Sequence, residues 1–108
     1  MEKKDLLKDT IKHIDIKSYD STQLIDAMRD MSFTSRDTAR ATDILMMMVG
    51  EKECTNILTI AGSTSAAGCM QVYVDMVRNK MVDVVVSTGA SIIDMDLFEA
   101  LGYKHYKG

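Results

Sequence analysis

The sequence lacks several features that would point to a secreted, membrane-bound or metal-binding protein. It has only two cysteines, Cys54 and Cys69, and no C-x-x-C pair. No apolar run is long enough to cross a bilayer, and the charged first residues do not form the apolar core of a signal peptide. His13 and His105 are far apart and have no ligand-like spacing. We therefore expect a cytoplasmic protein with two reduced, packed thiols, no membrane contact and no metal site.

The sequence also has no excess of positive charge. Its 13 lysines and arginines are outnumbered by 16 aspartates and glutamates, which gives a formal net charge of −3. Such a chain does not attract nucleic acids or anionic membranes, so we expect neither as a partner. A chain of 108 residues that is 46% hydrophobic and 27% charged is typical of one globular domain with a packed core.

Two short apolar runs in the second half of the chain are predicted to be buried strands. The first covers residues 57–61 and ends at Gly62, and the second covers residues 82–86. Between them, residues 66–80 carry apolar side chains at three-to-four spacing, which predicts a helix. Its predicted buried face consists of Ala66, Met70, Tyr73, Val74, Val77 and Met81. Strand, helix and strand form a βαβ unit, in which the two strands run parallel and the crossover is right-handed.

Each predicted strand is followed by a turn of small residues. These turns cover residues 62–68 and 87–91. Because the carboxyl ends of parallel strands lie at one edge of a sheet, we expect the two turns to meet around one crevice. Small residues let backbone N–H groups approach an anion, and a helix amino terminus adds partial positive charge, so the crevice suits a phosphate or a dinucleotide. Neither of the standard nucleotide-binding motifs, G-x-G-x-x-G and G-x-x-x-x-G-K-[ST], is present. The alternative therefore stays open that the first turn only packs a helix against a strand.

Hydrophobic periodicity predicts three helices before the first strand, over residues 4–13, 20–31 and 36–49. The second begins at a capping residue, Asp20 or Ser21, and the third ends at Gly50 in a left-handed conformation. Their predicted buried positions are Leu24, Ile25, Met28 and Met31 in the second helix and Ala41, Ile44, Leu45, Met48 and Val49 in the third. Ten methionines lie mostly on helical faces, where they serve core packing or an interface with another chain.

A last short helix is predicted after the second turn. Asp94 or Asp96 would cap it, and Leu97, Phe98 and Leu101 would face inward. Two parallel strands make a thin sheet whose edges need partners. We therefore expect the chain to be a fragment, a separately encoded part or a chain completed by association, and we favour a fragment.

Four segments of the sequence resemble the amino-terminal part of deoxyhypusine synthase and its bacterial deoxyhypusine synthase-like relatives. They are DTIKHIDI at residues 9–16, the glycine turn at residues 62–68, NKMVDVVVSTGA at residues 79–90, and residues 94–108, which end in LGYKHYKG. The likeness covers nearly the whole chain but only about the first third of the family's usual length. It implies a Rossmann-like parallel βαβ unit with preceding helices, within a larger NAD-binding α/β domain. Residues 1–108 would be the amino-terminal portion of that single domain, with a helical segment at 1–50 and a βαβ-α segment at 51–108.

The resemblance also implies a reaction and an assembly. The family transfers the aminobutyl group of spermidine in an NAD-dependent reaction, through an imine on an enzyme lysine. The acceptor is a lysine of the translation factor 5A precursor, or putrescine in related homospermidine synthases. The family is normally a homotetramer with active sites between subunits. A further interpretation is a non-catalytic regulatory subunit that binds a longer homologous chain through its methionine-rich helices.

The resemblance assigns binding roles to both turns. The residues implied to contact NAD are Gly62, Ser63 and Thr64 in the first turn and Thr88, Gly89 and Ala90 in the second. Two acidic residues that follow the second turn in the family help to hold cofactor and polyamine. Ile93 occupies one of these positions here, and Asp94 occupies the other, either as a substrate-binding carboxylate or as a helix cap.

No catalytic residue is expected in this chain. The imine-forming lysine of the family lies in a carboxyl-terminal part that the 108 residues do not match. Lys80, Lys104 and Lys107 are not at that position, and none has a sequence context typical of a desolvated amine. The chain alone should therefore be inactive.

Overall fold

The structure is a computed structural model that describes residues 2–107 of the chain, so Met1 and Gly108 of the predicted domain lie outside it. Its contacts divide these residues into two units: residues 2–15 together with 57–107, and Ile16–Asn56. Helices and a small parallel sheet are both present, which is consistent with the predicted α/β class. Within residues 2–107, no helix combines the length and the apolar character needed to cross a membrane.

The Ile16–Asn56 unit is helical. A single 3₁₀ turn, Ile16–Ser18, precedes α2 (Thr22–Arg29) and α3 (Phe33–Gly50), which pack against each other. Both helices were predicted, and the Asp20 carboxylate accepts a hydrogen bond from the Thr22 backbone N–H at 2.9 Å. The core of this pair is small, with Ala39 fully buried and only Ile25 and Met28 of the α2 stripe partly covered.

Two details of the predicted third helix are wrong. The helix starts at Phe33 and not at residue 36, because residues 33–35 continue into its first turn and the Thr38 hydroxyl donates to the Thr34 carbonyl at 2.8 Å. Gly50 lies inside the helix and has no left-handed conformation, because the Glu51 N–H still bonds to the Met47 carbonyl.

Several positions predicted to be buried in these two helices are exposed. They are Leu24, Met31, Ala41, Ile44 and Leu45. The physical reason is that each helix has one helical neighbour in this unit, so only one narrow strip of each can be covered. Met48 and Val49 are partly covered.

The first predicted helix is much shorter than its pattern suggested. The helix α1 covers only Lys3–Leu6; Thr10 then forms an isolated antiparallel bridge with Tyr106, and residues 11–15 have no regular secondary structure. Backbone hydrogen bonds explain the difference: the Ile11 N–H donates to the His105 carbonyl, and the Ile14 N–H donates to the Gly68 carbonyl. The backbone amides of this segment therefore donate to carbonyls that are distant in sequence. An amphipathic pattern within the segment does not reveal such partners.

The two predicted strands are present and parallel. They are β1 (Ile57–Ile60) and β2 (Val84–Ser87), paired in register from Ile57↔Val84 to Ile60↔Ser87. The second strand starts two residues later than predicted, because the Met81 N–H still bonds back to the Met76 carbonyl. The two free cysteines, Cys54 and Cys69, are both partly buried thiols, as the sequence predicted.

The connecting helix α4 covers Met70–Arg78, four residues shorter at its start than predicted. A π-helical turn, Ser65–Cys69, precedes it, and Gly68 inside this turn has φ +112°, which no right-handed helix contains. After β2, α5 (Gly89–Ser91), a π-helical segment (Ile92–Leu97) and α6 (Phe98–Ala100) follow without a break. We refer to residues 89–100 as the 89–100 helix.

The start of the 89–100 helix corrects the predicted cap. Thr88 precedes its first residue in an extended conformation, whereas Asp94 and Asp96 lie inside the π-helical segment and cap nothing. The helix starts early because its first turn forms at the small residues, where the Ser91 N–H bonds to the Thr88 carbonyl. The inward positions predicted for this helix, Leu97, Phe98 and Leu101, are exposed, since no other described element covers that side.

Candidate functional site

The two small-residue turns meet beside the carboxyl ends of the strands. We call residues 61–65 the first corner and residues 88–91 the second corner. The Ser91 hydroxyl donates to the Gly62 carbonyl at 2.9 Å, which joins the two corners directly. The Thr88 N–H donates to the Ile60 carbonyl at 3.2 Å and so continues the pairing of the strands beyond Ser87. The parallel arrangement therefore brings the corners together, as the order of strands and turns predicted.

The second corner has the chemical character of an anion-binding helix start. Gly89 and Ala90 open the 89–100 helix, and their backbone amides bond to no other residue that the structure describes. Unpaired amides at a helix start carry partial positive charge and can donate to phosphate or carboxylate oxygens. The hydroxyls of Thr88 and Ser91 lie 3.3 Å apart in the same turn and fix its shape.

Three glycines of the region have different physical roles. A Cβ placed on Gly89 or Gly62 would meet nothing within 4 Å, so both leave room for a close approach to the backbone. Gly62 also has φ +77°, a conformation that other residues adopt only with strain. At Gly68, in contrast, a Cβ would lie 3.2 Å from the Lys12 carbonyl oxygen, so this glycine serves internal packing.

The first corner is held by a tyrosine of α4. The Tyr73 hydroxyl donates to the Thr64 hydroxyl at 2.7 Å, which fixes the side chain of one predicted NAD contact. Ser63 is exposed, and its side chain bonds to none of the described residues. Ser65 is fully buried, and its hydroxyl has no hydrogen-bond partner within residues 2–107.

The predicted site residues lie at these corners with one exception. Gly62, Ser63, Thr64, Thr88, Gly89 and Ala90 all have exposed surface there. Asp94 lies one helical turn beyond Ala90 and is exposed, and its side chain forms no hydrogen bond or ion pair with the part of the chain that is described. Sequence reasoning missed Ser91 and Tyr73 as residues that shape the corners, because their partners are distant and the sequence carries no local signal for either contact.

A second polar cluster joins three segments of the same unit. The Glu99 carboxylate lies 2.7 Å from His13 Nε2 and 3.9 Å from His105 Nε2, and the three side chains are largely buried. The cluster links the segment around His13 to the 89–100 helix and to the residues after that helix. Within residues 2–107, no group of three or more histidine, cysteine or acidic side chains is arranged to hold a metal ion. We assign this cluster a structural role.

Comparison with known proteins places the chain in a family. The family model described as deoxyhypusine synthase matches residues 23–108. A deoxyhypusine synthase-like protein of Caulobacter vibrioides is 60% identical over 106 residues, which are 98% of this chain and 29% of the relative. One of Coxiella burnetii is 58% identical, over 98% of this chain and 30% of the relative. One of Chlorobaculum tepidum is 51% identical, over the whole chain and 31% of the relative.

These matches settle the class of protein. The mixed helices and the parallel strand pair are consistent with an α/β fold, and the chain belongs to the deoxyhypusine synthase family. It spans about three tenths of the length of the curated relatives it matches.

Proposed function

We propose that residues 1–108 form the amino-terminal portion of a single Rossmann-like NAD-binding domain in an aminobutyl transferase of this family. In the complete enzyme, NAD takes hydride from spermidine and the aminobutyl group passes to a lysine of the translation factor 5A precursor. The observation that most supports this proposal is the Ser91–Gly62 hydrogen bond at 2.9 Å, which joins the two corners. Family membership supports the choice of NAD among the anionic ligands that such corners suit.

The corners fit part of a dinucleotide. The amides of Gly89 and Ala90 would donate to a phosphate group, and the open space at Gly62 and Gly89 would let it approach the backbone. The side chains of Ser63, Thr64 and Thr88 would supply hydroxyl contacts around it. NAD itself would supply the hydride acceptor, whereas this chain would contribute binding and orientation. Asp94 would pair with an ammonium group of the polyamine.

The test uses the open space at Gly89. A Gly89→Val variant should fold, because its Cβ meets nothing within 4 Å, but it should fill the space that a phosphate needs. We expect NAD binding by the 108-residue chain, measured by calorimetry, to weaken at least about tenfold in this variant. Gly50→Val, at an equally open position in α3, is the matched control and should leave binding unchanged. Equal affinity of both variants, or no binding by the unmodified chain at millimolar NAD, would overturn the proposal.

Catalysis is expected only from a complete enzyme. The chain alone, mixed with NAD and spermidine, should give no steady rise in NADH absorbance, because it carries no candidate for the imine-forming lysine. Robust turnover by the isolated chain would contradict the assignment. In a complete enzyme, product analysis with putrescine as the acceptor separates polyamine synthesis from protein modification.

One observation favours a second role. Met46 and Met47, two adjacent methionines of α3, are both about two thirds exposed, so they leave apolar surface uncovered on this helix. A regulatory subunit would use such a surface to bind a longer homologous chain. Co-purification with a longer family member supports this role, and a monodisperse monomer in its presence opposes it.

A further inference from the structure

The hydroxyl of Thr64 in the first corner has a hydrogen-bonding direction that its neighbour determines. The Tyr73 hydroxyl donates its single hydrogen to the Thr64 oxygen at 2.7 Å. This direction agrees with the chemistry of the two groups, because a phenol is more acidic than an aliphatic alcohol and is the better donor. The Thr64 oxygen is therefore used as an acceptor, whereas its own hydrogen has no acceptor among residues 2–107. Thr64 is exposed, so it can donate this hydrogen to a ligand.

Tyr73 belongs to a more regular element than the corner that it contacts. It is partly buried on α4, a helix of nine residues, whereas Thr64 is exposed just before the π-helical turn. A hydroxyl without partners rotates freely, and only some of its orientations direct the hydrogen toward a given ligand atom. The bond from Tyr73 limits this rotation, and it polarises the Thr64 O–H bond and so strengthens its donation. The first corner therefore presents an oriented donor.

We propose that Tyr73 is a positioning residue that makes Thr64 a donor to a phosphate oxygen of the bound ligand. An anionic oxygen gains most from such a donor, because hydrogen bonds to charged groups are about twice as strong as those between neutral groups. Tyr73 acts only through Thr64 and does not touch the ligand. The inference rests on the proposed function, since it assumes that the corners hold the phosphates of NAD. It adds to that site a residue that lies outside both corners.

The first experiment removes the phenol oxygen. Tyr73→Phe keeps the ring, so it should fold, and we expect it to bind NAD about three- to tenfold more weakly in calorimetry. Inorganic pyrophosphate, which offers only phosphate oxygens, should lose the same factor. Tyr103→Phe is the matched control, because the Tyr103 hydroxyl forms no hydrogen bond within the described chain and the ring contact with Phe98 remains. An unchanged pyrophosphate affinity in Tyr73→Phe, or an equal loss in Tyr103→Phe, would contradict the proposal.

A double-mutant cycle separates positioning from a general loosening of the corner. Thr64→Val keeps the shape of the side chain but removes its hydroxyl, so adding Tyr73→Phe should then cause no further loss of pyrophosphate affinity. Thr64→Ser keeps the hydroxyl, and in this background Tyr73→Phe should again weaken binding about three- to tenfold. A purely structural role of Tyr73 would give the same loss in both backgrounds, and that result would rule out action through Thr64.

The two ligands distinguish a failure of this inference from a failure of the proposed function. NAD binding that depends on Gly89 but not on Tyr73 would refute the positioning role and leave the proposed function standing. Pyrophosphate binding with the expected dependence on Tyr73 and Thr64, but without NAD binding, would support the positioning role and refute the choice of NAD. If neither ligand binds at millimolar concentration, both proposals are wrong.

Discussion

At the scale of single residues, Ser91 does the most to define the candidate site. It is fully buried, and its hydroxyl donates to the Gly62 carbonyl. We expect Ser91→Ala to lower the free energy of unfolding by about 1 kcal/mol, because the partly buried hydrogen bond to the Gly62 carbonyl is lost. The measurement is the midpoint of urea unfolding without ligand. Ser63→Ala, an exposed serine of the neighbouring corner, should change stability by less than about 0.5 kcal/mol. Equal effects of the two changes would show that the Ser91 bond does not hold the corners.

The same scale shows what the sequence could and could not predict. Gly62 and Gly89 could be predicted as site residues, because each lies in a turn of small residues directly after a predicted strand. Ser91 bonds to a residue 29 positions away, and His13 bonds to one 86 positions away. Local patterns carry no information about such partners, so these contacts could not be predicted.

At the scale of elements, strand pairing was predictable and helix ends were not. The parallel pair follows from two β-branched runs separated by one helix, a local pattern that has few alternative folds. The first helix was predicted too long, because residues 9–14 form backbone hydrogen bonds with residues near His105 and with Gly68. The α4 helix starts later than predicted because Gly68 has φ +112°, outside the helical region, and its carbonyl accepts a hydrogen bond from the Ile14 N–H. In both cases a tertiary contact outweighed the intrinsic preference of the segment.

The contact between α2 and α3 should depend on pH. Hydrogen bonds from the Arg29 guanidinium hold the pKa of the Asp43 carboxyl below its ordinary value of 3.8. Because the folded-state pKa is the lower one, this stabilisation is complete above pH 3.8 and is lost as the pH falls through the folded value. We expect Arg29→Gln to lower the midpoint of urea unfolding near neutral pH and to have little effect in strong acid.

The matched control for this prediction is Arg36→Gln. Arg36 is exposed on α3 and forms no ion pair with any residue from 2 to 107, so its replacement should have the same small effect at every pH. A difference between Arg29→Gln and the unmodified chain that does not shrink in acid would show that Arg29 acts by packing.

At the scale of the whole molecule, the parallel sheet is uncovered on one face. The register places Ile57, Val84 and Val86 on this face, and they are 57%, 42% and 54% exposed. Parallel strands in folded proteins are normally covered on both faces. The chain matches only 29% of its Caulobacter relative, so a large part of such a protein could supply the cover.

We therefore expect this chain to bind a polypeptide that carries the part of the Caulobacter relative outside the matched 29%. The two should elute as one stoichiometric complex in size-exclusion chromatography, because association buries the exposed valines. Replacing both Val84 and Val86 by lysine should abolish the complex, since two charges on a covered sheet face cannot be solvated. Met47→Lys, at an exposed position of α3, should leave it intact. The opposite pattern, with binding lost only in Met47→Lys, would assign assembly to the exposed methionines of α3. If the unmodified chain forms no complex, the expected association through the sheet face is wrong.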